Sequence, residues 1–155
     1  MHRVRLVRES LAALIESRRR PPDLGVRLAA SMSDLPQHEG ADIAIAIVDA
    51  DHLRPEDPAF AAMLAELRGT LGEACPVLVV SERDETPEDG LAAIRRGASG
   101  LFPASLGAGM LIPAIGLVLS GGLFVSPATL RDAARQRPPS PASMRPAGEI
   151  KPCQG

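Results

Sequence analysis

Hydrophobic positions first recur at Val7, Leu11, Leu14 and Ile15, the i, i+4, i+7, i+8 spacing of one helical face. Arg18, Arg19 and Arg20 suit the negative end of that helix, and Pro21 and Pro22 stop it. Between Gly25 and Ala30 the period shortens: Val26 and Leu28 alternate with Arg27 and Ala29, which predicts a short strand. Ser31 to Gly40 leaves room for one or two helical turns at most. From Ile43 to Val48 the chain is apolar without a break and ends at Asp49. Such a run, bounded by polar residues, predicts a strand buried on both faces.

A proline-bearing polar loop, Asp51 to Pro58, precedes a helix whose Phe60, Met63, Leu64, Leu67 and Leu71 share a face and which ends near Gly72. Val77-Leu78-Val79-Val80 repeats the doubly buried strand pattern and ends at Ser81. Asp84 to Glu88 opens a helix over 87–96, with Leu91 and Ile94 inward and Gly97 at its end. Leu101-Phe102-Pro103 is a short final strand, and Gly107 to Ser120 an apolar helix kinked at Pro113. Pro127 to Arg137 adds a short helix. Beyond it Pro138, Pro139, Pro141, Pro146 and Pro152 stand among Ser, Ala and Gly, a composition that predicts a disordered tail. Strand and helix alternate, so the fold class is α/β, a three-layer sandwich around a parallel sheet. Ligand chemistry in such sheets gathers outside the C-terminal strand ends, which here carry Asp49, Ser81 and Pro103-Ala104-Ser105.

Composition narrows the function classes. Seventeen Lys and Arg against 19 Asp and Glu give a net charge of -2, so no basic excess points to nucleic acid. Aromatic residues are only 2%, with no Trp or Tyr, which removes a base-stacking platform. Two cysteines, Cys75 and Cys153, cannot complete a structural zinc site and fit a reduced, cytoplasmic protein. No stretch reaches the about 20 apolar residues of a membrane span.

Val77-Leu-Val-Val-Ser81, followed by Ala92-Ala-Ile-Arg-Arg-Gly-Ala-Ser-Gly-Leu-Phe-Pro-Ala-Ser105, resembles the second half of a response-regulator receiver domain of the LuxR/NarL type. Val7 to Glu16 resembles that group's first helix, Ser120-Gly-Gly-Leu-Phe-Val-Ser-Pro127 its exit from the last helix, and the proline-rich tail its linker. The resemblance covers roughly residues 4 to 130, is specific from 76 to 127, and is weak between 30 and 60. It implies a CheY-like (flavodoxin-like) fold over residues 1–126, with 127–155 as linker and tail. It makes Asp49 the phosphoacceptor, Ser81 and Leu101 the switch positions, and puts Ala104 where the family has its lysine. It also implies a two-component setting, with a sensor histidine kinase or another signalling protein as partner.

The departures from that family pattern weigh more than the matches. Magnesium needs several hard oxygen ligands, two of which the family takes from an acidic pair ending its first strand. Only Met1 to Leu6 precede the first helix here, so the first strand is expected to be missing or very short. Asp49, Asp51 and Glu9 are then the weak candidates for metal ligands, and magnesium is expected only if phosphorylation is possible at all. Ala104 also removes the cation that would pair with a modified carboxylate. The expectation is therefore a degenerate receiver, not an enzyme, that acts by binding a protein. One alternative is a working receiver phosphorylated on Asp49 in a phosphorelay controlling transcription. Another is a small metal-dependent hydrolase built on the Asp49, Asp51, His52, Glu56 and Asp57 loop, although its spacing matches no calcium loop. No helix-turn-helix pattern is present, so DNA contact is not expected through this chain. The last long helix is apolar almost all round, which predicts a homodimer touching through Leu11, Met110, Leu111, Ile115 and Val118.

Overall fold

The computed structural model describes residues 43–50, 53–83 and 85–136. The expected first helix, the strand at 25–30 and the proline-rich tail lie outside the described residues. So do Glu9, Leu11, Asp51 and His52.

Among the described residues, three parallel strands form an open sheet in the order β1-β2-β3: β1 is Ala46–Asp49, β2 Val77–Ser81 and β3 Gly100–Pro103. Helix α1, Pro58–Leu71, links β1 to β2, and α2, Pro87–Arg95, links β2 to β3. A single 3-10 turn, Ala104–Leu106, leads from β3 into α3, Ala108–Leu119, and α4 is Pro127–Gln136. The architecture is α/β with a parallel open sheet, compatible with a flavodoxin-like fold. Among the described residues, no helix is long and apolar enough to cross a membrane.

Strand β1 is shorter than the apolar run from Ile43 predicts. Its ladder starts where the Ala46 N–H donates to the Pro76 carbonyl (2.9 Å), and proline has no N–H with which to extend the pairing backwards. β2 is buried along its whole length, as the central strand should be, whereas β1 is only half-buried.

Side-chain alternation divides the core into two layers. Val77 and Val79, with Ala46 and Val48 beside them and Leu101 beyond, pack against Phe60, Leu64 and Leu67 of α1 and Ala93 of α2. Leu78, Val80 and Phe102 on the opposite face pack against Leu111, Ala114, Ile115 and Val118 of α3. The apolar helix α3 thus spends one stripe on the sheet, and it runs unbroken through Pro113. Leu111, Ile115 and Val118, expected at a dimer contact, belong instead to the core, because the sheet needs a cover on that face. Met110 alone of the described candidates stays exposed, together with Leu117 and Leu119.

Local signals explain the helix ends. Asp57 accepts the Arg54 N–H (2.8 Å) just before Pro58 opens α1, and Gly72 closes it at φ 94° with its N–H on the Arg68 carbonyl. Asp89 accepts the Thr86 N–H (2.8 Å) at the start of α2. At the far end of α2 the Arg68 guanidinium donates to the Gly97 carbonyl, a cation from α1 placed on the negative end of its neighbour. After α3 the chain returns to the sheet at Phe124, which bridges Gly100 in parallel and sets its ring 5.4 Å from that of Phe102.

Candidate functional site

The C-terminal edge of the sheet is where parallel strands release their side chains toward a ligand. Asp49 ends β1 opposite Val80, Ser81 ends β2 opposite Pro103, and Ala104 follows at once in the 3-10 turn. Three of the four family-derived positions therefore gather at one edge, and the fourth, Leu101, lies further back in β3. Strand parity separates them, however. Asp49 pairs with Val80 and leaves the sheet on the α3 side, while Ser81 alternates with Val80 and shares the side of Val77 and Val79. Leu101, which pairs with Val79, lies on the Ser81 side and is buried.

Ser81 is buried, and its Oγ accepts the Arg83 N–H at 3.3 Å, so the strand end is held by its own following turn. Ser81 and Leu101 form the floor of a cavity of about 40 Å³ whose other walls include Arg54, Arg83, Glu85 and Asp89. That space holds about two or three water molecules and no organic substrate. Asp49 is exposed and is not among the residues lining it. Ala104 is exposed too, and its methyl group supplies no charge to the edge.

Asp49 is the one candidate magnesium ligand that falls within the described residues. Among those residues no group of three His, Cys, Asp or Glu could hold a metal ion, and the other two candidates, Asp51 and Glu9, lie outside them. Glu56 and Asp57, from the acidic loop, stand at the entry to α1, where Asp57 is engaged with the Arg54 backbone.

Among the described residues, the most perturbed acid is one that the sequence does not single out. Glu85 sits in the turn between β2 and α2, and both its carboxylate oxygens are buried without a hydrogen-bond partner. Burial pushes its pKa up to about 7, helped by the nearby charge of Asp89 and tempered by the Ser126 and Thr129 hydroxyls. Those two hydroxyls are themselves buried, bond each other at 3.1 Å, and do not reach the carboxylate with bonding geometry. Gly90 makes the assembly possible: a Cβ there would stand 2.8 Å from Glu85 Oε1 and 2.9 Å from Thr129 Oγ1. A glycine inside an acidic helix start carries no such message in sequence, where its close neighbours are invisible.

Comparison of the chain with family models, curated proteins and solved structures found no match.

Proposed function

We propose that this chain is a receiver-like signalling module, CheY-like in fold and LuxR/NarL-like in type, that works by binding a partner protein and is phosphorylated poorly or not at all. The observation that carries the reading is the C-terminal sheet edge. Asp49 and Ser81 end successive parallel strands there and Ala104 directly follows the third, in the order that the family resemblance requires. A phosphoryl group on Asp49 would add negative charge to an edge where Ala104 offers a methyl group in place of an amine. The hydroxyl of Ser81, the natural sensor of that group, leaves its strand on the opposite face. Neither arrangement favours a switch driven by a modified carboxylate.

Partner binding is then the remaining work for the scaffold, and a second copy of the chain is the partner that its surface suits. Met110, Leu117, Leu119, Leu123 and Leu130 are exposed large apolar residues in a stretch, 107–130, that contains no charged residue. An uncharged apolar surface is covered best by another of its kind.

Beryllofluoride with magnesium, followed by amide NMR, tests the reading. The expected spectrum shows no saturable shift at Ser81, Leu101 or Ala104. A saturable shift at these positions that disappears in Asp49→Asn would overturn it.

A further inference from the structure

Helix α4 is fastened in an unusual way. Thr129 is its one buried residue, Leu130 beside it is exposed, and the helix carries Arg131, Asp132 and Arg135 on its other positions. Its attachment to α2 therefore rests on a polar point rather than an apolar stripe. At that point Thr129 Oγ1 meets Gly90, the Ser126–Thr129 hydroxyl pair, and a carboxyl group whose two oxygens have no partner. A buried carboxylate without hydrogen bonds is costly, whereas a neutral carboxyl is tolerated and gains an O–H with which to donate.

We propose that Glu85, Gly90, Ser126 and Thr129 form a proton-operated latch, in which a neutral Glu85 holds α4 against α2 and an ionised Glu85 lets it swing away. The hydroxyl oxygens of Ser126 and Thr129, the neighbouring side chains that temper the rise in its pKa, are the acceptors available to the protonated carboxyl. Ionisation removes that donor and leaves a charge in the same enclosure, which the two hydroxyls, as donors, offset only in part against the cost of burial. The charged groups around it do not cancel this. Asp89, on α2, adds repulsion. Arg54 and Arg83 share the small cavity with Glu85, but neither gives its oxygens a hydrogen bond. Glu88 and Asp132 line the groove where α2 and α4 meet, and neither is a cation that could offset the charge of an ionised Glu85.

The direction follows from linkage. The docked state raises the carboxyl from its ordinary 4.5 to about 7, so docking is strongest below the lower value and weakens as pH rises through the upper one. The full shift sets a ceiling of roughly 300-fold on the docking constant. Glu85 is only half-buried, so about ten-fold is the expected change.

Amide hydrogen exchange on the full chain at pH 5.5 and pH 8 reads this directly, as protection corrected for intrinsic rates. Protection across Leu130–Gln136 should fall about ten-fold at the higher pH relative to the amides of α1, and Glu85→Gln should flatten the difference. Equal protection at both pH values in the wild type overturns the latch, as does an undiminished pH dependence in Glu85→Gln. Should that variant fail to fold, the carboxyl ¹³C titration of Glu85 in the wild type decides. A midpoint that coincides with the loss of α4 protection supports the latch, and a midpoint below pH 5.5 refutes it.

Discussion

Replacing Gly100 by alanine tests the seam on which the second half of the fold closes. Gly100 begins β3 and bridges Phe124, where the chain returns from α3 to the sheet. A Cβ at Gly100 would lie 2.6 Å from the Phe124 carbonyl oxygen and 2.7 Å from the Phe124 Cβ. Both are far inside van der Waals contact, and the carbonyl is backbone, so no rotamer change relieves the clash. The Phe124 N–H is also tied to the Ser99 carbonyl at 2.8 Å, which resists sliding of the two segments. Overpacking of this kind costs about 1 to 3 kcal/mol. Gly69→Ala is the matched control, because a Cβ there meets nothing within 4 Å and the position lies inside helix α1. That change should stabilise by about 0.5 to 1 kcal/mol through helix propensity. Urea unfolding followed by far-ultraviolet circular dichroism gives both midpoints. Opposite displacements at unchanged slope are expected. A Gly100→Ala midpoint at or above that of the wild type would show that the Phe124 seam does not set the geometry described.

Three further outcomes are expected. Glu85→Gln should stabilise the protein by about 1 to 2 kcal/mol at pH 8, a figure reduced from the full shift because Glu85 is half-buried, and by nothing at pH 4. The wild type therefore loses stability as pH rises from 4.5 towards 7 while the variant stays flat, as thermal unfolding across that range will show. Arg68→Met should cost about 1 to 2 kcal/mol in urea, because the Gly97 carbonyl at the end of α2 loses its donor while the aliphatic packing is kept; an unchanged midpoint would remove the α1–α2 link from the account. Leu117→Asp, on the exposed face of α3, should shift a dimer to monomer in light scattering, and a wild type already monomeric at micromolar concentration would refute the self-association proposal.

How much of this was readable from sequence differs by element. The helix over Phe60, Leu64 and Leu67 and the strand Val77–Ser81 carry strong periodic signals, and the structure forms both. Ile43–Ile45 read as strand because they are apolar, yet pairing needs a partner, and β2 begins only after Pro76. The interior face of α3 could not be read either. A helix apolar on every side names no inward stripe, and the sheet, through Leu78, Val80 and Phe102, chooses Leu111, Ile115 and Val118. At the candidate site the strand ends were legible as Asp49, Ser81 and Pro103, with Ala104 next, since each closes an apolar run or follows one. Their division between the two sheet faces was not, because it depends on the register between strands distant in sequence. Glu85 was the least visible of all: its burial is created by Gly90 and by Thr129, which the fold brings back from far along the chain.

The proposed reading is that the sheet edge keeps the order of a phosphorylation switch, with Ala104 supplying no cation to pair with a modified Asp49. Incubation of the full chain with acetyl phosphate and magnesium, followed by intact mass, addresses it most directly. The account predicts an unmodified mass for wild type and Asp49→Asn alike. A magnesium-dependent phosphoryl adduct on the wild type, absent from Asp49→Asn, would contradict it.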